Sequence, residues 1–168
     1  MSISEVDLEH LRRSVELAEQ ALDAGDEPFG SLLVAADGSV LAEDRNRVAG
    51  GDRTRHPEFE LARWAAANLP REERAAATVY TSGEHCPMCA AAHAWVGLGR
   101  IVYASSAEQL GEWLEDFGAP PSPVALLPIS AVAPGVPVDG PSLELAPVVR
   151  ELHRARTARD LPDPQRHP

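Results

Sequence analysis

The sequence predicts a three-layer α/β domain around a mixed sheet, and three observations carry that prediction. Apolar, strand-like runs alternate with segments of helical periodicity, the pattern of helices covering both faces of a sheet. The pair Asp37-Gly38 between the first two strand-like runs is a hairpin signal, so at least one strand pair is antiparallel. The 168 residues suit one domain with a sizeable core. We place that domain at residues 1–158 and expect a disordered tail over 159–168, where three prolines fall. No internal repeat divides the chain.

The elements follow in order. Leu8, Leu11, Val15, Ala18 and Leu22 recur at spacings of three and four, which predicts a helix over 6–24 that Gly25 can stop. Residues 29–36 are largely apolar and read as a buried strand, and 39–43 return as its hairpin partner. A polar loop rich in Gly and Arg occupies 44–55. A helix over 56–68 places Leu61, Trp64 and Ala65 on one face. A strand over 77–81, an Ala-rich helix over 86–97, a strand over 100–104 and a helix over 107–117 follow. Beyond a Pro-rich connection at 119–123, a weak strand is expected over 127–132 and a last helix from Pro147 to about Arg156. Nothing around 138–145 matches a motif.

Composition narrows the function. Hydrophobic residues at 44% and charged residues at 24% are ordinary for a globular protein. No apolar run approaches the ~20 residues of a membrane span, and the stretch MSISEVDLEHLRR lacks the apolar core of a secretion signal. A cytoplasmic protein with no membrane partner is expected, and in that compartment two cysteines three apart point to metal binding or redox chemistry. The net charge of −11 argues against a nucleic-acid partner. All 15 basic residues are arginines, so Schiff-base chemistry and lysine general bases are excluded. The arginines at 45, 47, 53 and 55 crowd the loop before His56, where an anion contact stays open. Those at 150, 154, 156 and 159 read as solvated surface.

Two places share one device. His56 precedes Pro57 and Cys86 precedes Pro87, and each pair opens a predicted helix. Proline favours the first helical position and pushes the residue before it out of helical geometry, which puts His56 and Cys86 at N-caps. There they stand beside unpaired N–H groups and the positive end of the dipole, an environment that stabilises a thiolate. Cys89 shares the face of Cys86 one turn on. If the two helix starts lie side by side, one histidine and two cysteines converge. Three N/S ligands are the number that a catalytic zinc uses, with a fourth position left to water or hydroxide. Glu58, in the first turn after His56, could then carry a proton.

His56-Pro57-Glu58 followed by Cys86-Pro87-Met88-Cys89 resembles the two halves of the zinc deaminase signature, H-x-E with P-C-x-x-C, of the cytidine deaminase-like superfamily. The resemblance runs from Leu11 to about Phe117. It takes in Pro28-Phe29-Gly30 at the entry to the first strand, Asn46 in its Arg-Asn-Arg loop, and Gly99-Arg100-Ile101-Val102-Tyr103. It implies a three-layer α/β/α cytidine deaminase-like fold with a mixed five-stranded sheet, commonly dimeric. It implies an activity that hydrolyses an exocyclic amino group of a base or nucleoside and releases ammonia. Carried over to this sequence, His56, Cys86 and Cys89 would hold one zinc per chain and Glu58 would shuttle the proton. Asn46 would contact substrate, and the backbone around Phe29, Gly30, Ser82 and Glu84 would line the pocket. The chain departs from the family at His85, where relatives carry proline, and at Pro57, where alanine is commoner. We take His85 as a neighbour of the substrate or a pocket-rim residue.

Other interpretations of the same residues stay open. Cys-x-x-Cys alone also fits a redox dithiol, although here it follows the third strand and has His-x-Glu upstream. His93 shares the cysteine face but lies about 10 Å along the helix from Cys86, too far to complete the set, and is expected to pack. Glu58 and Glu60 could be first-turn carboxylates favoured by the dipole, and Asn46 a turn residue. His10, His153 and His167 are expected at the surface, and Trp95 and Trp113 in the core. For the substrate, Pro28-Phe29-Gly30 resembles guanine and related base deaminases more than the tRNA adenosine enzymes, which puts guanine-like purines or related amino-heterocycles first, a cytosine-type pyrimidine second and tRNA adenosine third. A zinc-stabilised binding module is the non-enzymatic alternative.

Overall fold

The computed structural model describes residues 3–160. Helix α1 spans Glu5–Asp23 and opens with a capping box: Ser4 Oγ accepts from the Asp7 N–H while the Asp7 carboxylate accepts from the Ser4 N–H. Strands β1 (Gly30–Val34) and β2 (Val40–Arg45) form the hairpin around Asp37-Gly38. Gly38 has φ +87°, and the Ser39 N–H and hydroxyl both donate to Asp37 Oδ1. Then come α2 (Pro57–Asn68), α3 (Arg71–Ala76), β3 (Thr78–Gly83), α4 (Pro87–Val96), β4 (Ile101–Ser105), α5 (Ala107–Asp116), α6 (Ile129–Val132), β5 (Val138–Asp139) and α7 (Ala146–Asp160).

The sheet order is β2-β1-β3-β4-β5. β1 runs antiparallel to both β2 and β3, and β4 runs parallel to β3 and β5, so the five-stranded sheet is mixed as expected. Both faces of its centre are covered, which is why β1 and β4 are buried at every position. Alternation still sorts the side chains. Leu32, Val34, Tyr80, Val102 and Ala104 pack with α1, α5 and α7 through Leu11, Val15, Trp113 and Val149. Leu33, Val79, Ile101 and Tyr103 pack with α2, α4 and α6 through Leu61, Ala65, Ala90 and Ile129. The first layer lies so close to β1 that a Cβ on Gly30 would stand 2.4 Å from Ser14 O and from Leu17 Cβ.

Several sequence expectations give way. The weak strand expected over 127–132 is the short helix α6, with Pro128 at its N-cap and Ile129 fully buried. The fifth strand is β5, two residues in the segment that offered no motif. α3 was not foreseen, because REERAA offers charge without apolar periodicity and so no helical signal; none of its residues is buried. α7 starts at Ala146, with Pro147 tolerated in its first turn, and includes Arg159 and Asp160; the rest of the expected tail lies outside the described residues. Trp95, expected in the core, is 89% exposed, whereas Trp113 is buried as expected. His153 is buried rather than superficial, and His10 stacks on Tyr80; His167 lies outside the described residues. Two of the C-terminal arginines are more than solvated surface. Arg156 donates to Gly25 O and Arg159 to Leu22 O, cations placed on carbonyls at the C-terminal end of α1.

Candidate metal and catalytic site

The two His-Pro and Cys-Pro pairs do what proline dictates. His56 is the N-cap of α2 with φ −89° and ψ 137°, and Cys86 the N-cap of α4 with φ −65° and ψ 166°. Neither side chain caps its own helix, so both are free for other partners. α2 and α4 pack against each other on one face of the sheet and bring these caps together. His56 Nδ1 lies 3.7 Å from the sulfurs of both Cys86 and Cys89, and the sulfurs lie 3.6 Å apart. Ideal tetrahedral zinc, with Zn–S of ~2.3 Å and Zn–N of ~2.0–2.1 Å, would set its ligand atoms about 3.6 to 3.8 Å apart. The donor set therefore fits zinc in chemistry, number and spacing, and no other metal-ligating cluster of this kind occurs among the described residues. His93 is excluded from it: its Nε2 donates to Gly99 O at 2.8 Å.

The three groups polarise one another. Pairing with Cys89 first, and with His56, draws the Cys86 thiol down to about 4 against the cost of burial. The same pairing, with burial, pushes the Cys89 thiol well up. The Cys86 sulfur raises the His56 ring above its ordinary value, outweighing burial, with Glu58 adding to the rise.

Glu58 sits in the first turn of α2, only 6% exposed. Its Oε1 lies 3.0 Å from both Ser31 Oγ and Thr81 Oγ1, while Oε2 lies 3.8 Å from Cys89 Sγ. One oxygen thus points at the sheet and the other at the donor set. Burial raises the carboxyl above its usual range, against the pull of His56. Among the sequence candidates for substrate contact, Asn46 has no exposed surface. Its Oδ1 accepts from the Val48 N–H, and its Nδ2 has no hydrogen-bond partner among the described residues. Asn46 adjoins the segment that enters β1, its N–H donating to Phe29 O.

The other candidates use their side chains inside the protein. The Gly30 N–H donates to Ser82 Oγ. The Glu84 carboxylate accepts from Ala107 N and Ile129 N, both at 2.8 Å, and so joins the starts of α5 and α6. The Phe29 ring meets His153 edge-on at 4.9 Å. His85 is no exposed loop residue: it is 1% exposed, neither ring nitrogen has a partner among the described residues, and it meets His93 edge-on at 5.4 Å. Burial keeps its ring neutral. Ser31 and Thr81 were missed as side chains in the sequence. They are opposite one another in the β1–β3 register, a pairing that no local pattern reveals.

Residues 4–105 match the family model of the cytidine and deoxycytidylate deaminase zinc-binding region. This chain belongs to that family. Its zinc cofactor follows from that membership together with the His56, Cys86 and Cys89 grouping. Among curated relatives, a probable cytosine deaminase of Schizosaccharomyces pombe is 34% identical over 119 residues, 71% of this chain and 72% of the relative. The guanine deaminase of Bacillus subtilis is 37% identical over 97 residues, 56% of this chain and 62% of the relative. Among solved structures, the guanine deaminase from Nitrosomonas europaea superposes with a TM-score of 0.65 at 24% identity, covering 89% of this chain and 83% of that one; it supports the fold. Its family makes the chain a zinc-type deaminase, a hydrolase acting on C–N bonds. No helix among the described residues is long and apolar enough to cross a membrane.

Proposed function

We propose that this deaminase hydrolyses the exocyclic amine of a free nucleobase or nucleoside, a guanine-like purine or related amino-heterocycle first, giving an oxo group and ammonia. The observation that carries the reaction is Glu58: a buried carboxylate with one oxygen anchored and the other directed at a zinc-type donor set. Zinc, held by His56, Cys86 and Cys89, would supply a Lewis acid. Glu58 accepts a proton from the attacking water and delivers it to the ring nitrogen; it then takes the second proton from the new hydroxyl on the ring carbon and passes it to the amine, so that the C–N bond breaks, ammonia leaves and the carbon keeps an oxo group. Burial, which raises its carboxyl, favours its holding a proton in transit. The Asn46 amide, buried with a spare N–H, offers a donor to an acceptor on the base.

The loop arginines support a small substrate over tRNA. Arg45 pairs with Asp26, Arg47 with Asp44, Arg53 with Glu27 and Arg55 with Glu60, so each cation beside the site already faces a carboxylate. Phosphate contacts supply most nucleic-acid affinity. A cytosine-type pyrimidine is the second substrate reading, supported by the identity to the probable cytosine deaminase.

The test is ammonia release from guanine, 2,6-diaminopurine, cytosine, cytidine, adenosine and one tRNA. Turnover of a free base or nucleoside is expected, lost by at least about 10²-fold in Glu58→Gln while zinc and fold are retained. Turnover of tRNA alone would overturn the substrate class. Full activity in Glu58→Gln would overturn the mechanism.

A further inference from the structure

We propose that Ser31 is a positioning residue: its hydroxyl, paired with Thr81, fixes the Glu58 carboxylate so that Oε2 rather than Oε1 faces the zinc-type donor set. The inference rests on Glu58 being the proton carrier.

The register creates the feature. Ser31 and Thr81 are direct partners between β1 and β3, two residues from the partners Leu33 and Val79. Side chains two apart share a face, so the hydroxyls stand on the face that packs against α2 and α4, where Leu33 and Val79 are apolar. Both are fully buried. A hydroxyl pair there costs free energy unless it is hydrogen-bonded, and Glu58 is the group it meets.

Counting protons separates the two hydroxyls. Ser31 Oγ lies 2.9 Å from Thr81 Oγ1 and 3.0 Å from Glu58 Oε1. Thr81 Oγ1 lies 3.0 Å from the same Oε1 and 2.9 Å from Gly83 O. Each hydroxyl has one proton to donate. With both present, Ser31 serves Oε1 while Thr81 serves the Gly83 carbonyl, or the two form a relay from Ser31 through Thr81 to Oε1. Without Ser31, the single Thr81 proton faces two acceptors. Either Oε1 is released, or the carbonyl of Gly83 at the entrance to the cysteine loop loses this donor. A carboxylate freed at Oε1 can rotate about its last torsion, and small misplacements of a reacting group cost rate steeply.

The experiment is steady-state kinetics on the zinc-loaded protein, using guanine or the first compound of the ammonia panel that the wild type turns over. Ser31→Ala should lower kcat by about 10- to 100-fold with KM within about twofold. Ser31→Thr, which keeps the hydroxyl, should recover most of the rate. Thr81→Val, which leaves Ser31 to hold Oε1 alone, should lose less than Ser31→Ala. In a Glu58→Gln background Ser31→Ala should change the residual rate by less than about twofold, because the two act as one unit. Wild-type kcat in Ser31→Ala, with Glu58→Gln inactive, overturns the inference and leaves the mechanism standing. Activity in Glu58→Gln overturns the mechanism beneath it. A Ser31→Ala protein that loses zinc, or melts more than about 8 °C lower, makes Ser31 a folding residue and also overturns the inference.

Discussion

The two faces of the sheet treat buried polarity in opposite ways. On the face covered by α1, α5 and α7, charge meets opposite charge. Arg100 bonds Asp7 and Asp139 at 2.7 Å each, and the Tyr80 hydroxyl donates to Asp7. On the face covered by α2 and α4, the polar groups gather around a donor set. Glu58, Ser31, Thr81, Cys89 and His93 are all buried there. Oε2 of Glu58 faces the Cys89 sulfur, and His85 and Asn46 keep ring or amide nitrogens without a partner among the described residues. The first arrangement holds elements together. The second keeps unspent valence where chemistry is to happen, as a site must if it is to offer more to the reacting molecule than to itself.

Four measurements would break or sharpen that contrast, the largest effect first. Replacing Cys86 and Cys89 together by Ser should abolish zinc binding, read as metal per chain after gel filtration; stoichiometric zinc in that variant would refute the ligand set. Arg100→Leu should lower unfolding stability by about 3 kcal/mol in denaturant titration, because two buried carboxylates lose their cation, with little change in kcat per folded molecule. The same variant should change the acid limb. Burial alone would raise Asp7, but bonds from Arg100, Ser4 and Tyr80 outweigh it and hold the carboxyl far below its ordinary range. A depressed folded-state value means stability that is present above about pH 4 and lost as pH falls further; Arg100→Leu should flatten that loss. Third, zinc should leave on acidification. His56 and Cys89 are both raised above their ordinary values, so protons compete with the metal at both, and zinc affinity measured against a chelator should fall as pH is lowered, about tenfold per pH unit for each proton taken up. Smallest, Trp95→Gln should shift stability by no more than about 0.5 kcal/mol, since its ring stands in solvent.

The site was more legible in the sequence than the scaffold that holds it. Proline announces both helix starts and the ligand types announce a metal, so the grouping of His56, Cys86 and Cys89 could be expected from local text, while Glu58 was set apart from Glu60 only by its offset from His56 and by the family resemblance. What was not local was lost. β1 is apolar almost throughout because both faces of the sheet are covered, and that hides the two-residue alternation by which Ser31 and Thr81 meet. The helix α4 is rich in alanine all round, so its composition does not say which side faces water, and Trp95 was expected inside. His153 looked superficial because α7 carries many charges, yet it lies on the line where that helix meets Phe29. β5 and α6 are too short for periodicity to speak at all.

The Glu84 carboxylate carries a consequence for how such a protein can diverge. Its two oxygens take the amides that open α5 and α6, and the chain between those points, over 117–128, is mostly exposed. Exposed connections tolerate changes of length. With both flanks moored to one residue beside the cysteines, lineages can lengthen, shorten or rewrite that connection while the ligand geometry is inherited intact. A change of length over 117–128 is therefore expected to leave the spacing of His56, Cys86 and Cys89 unaltered.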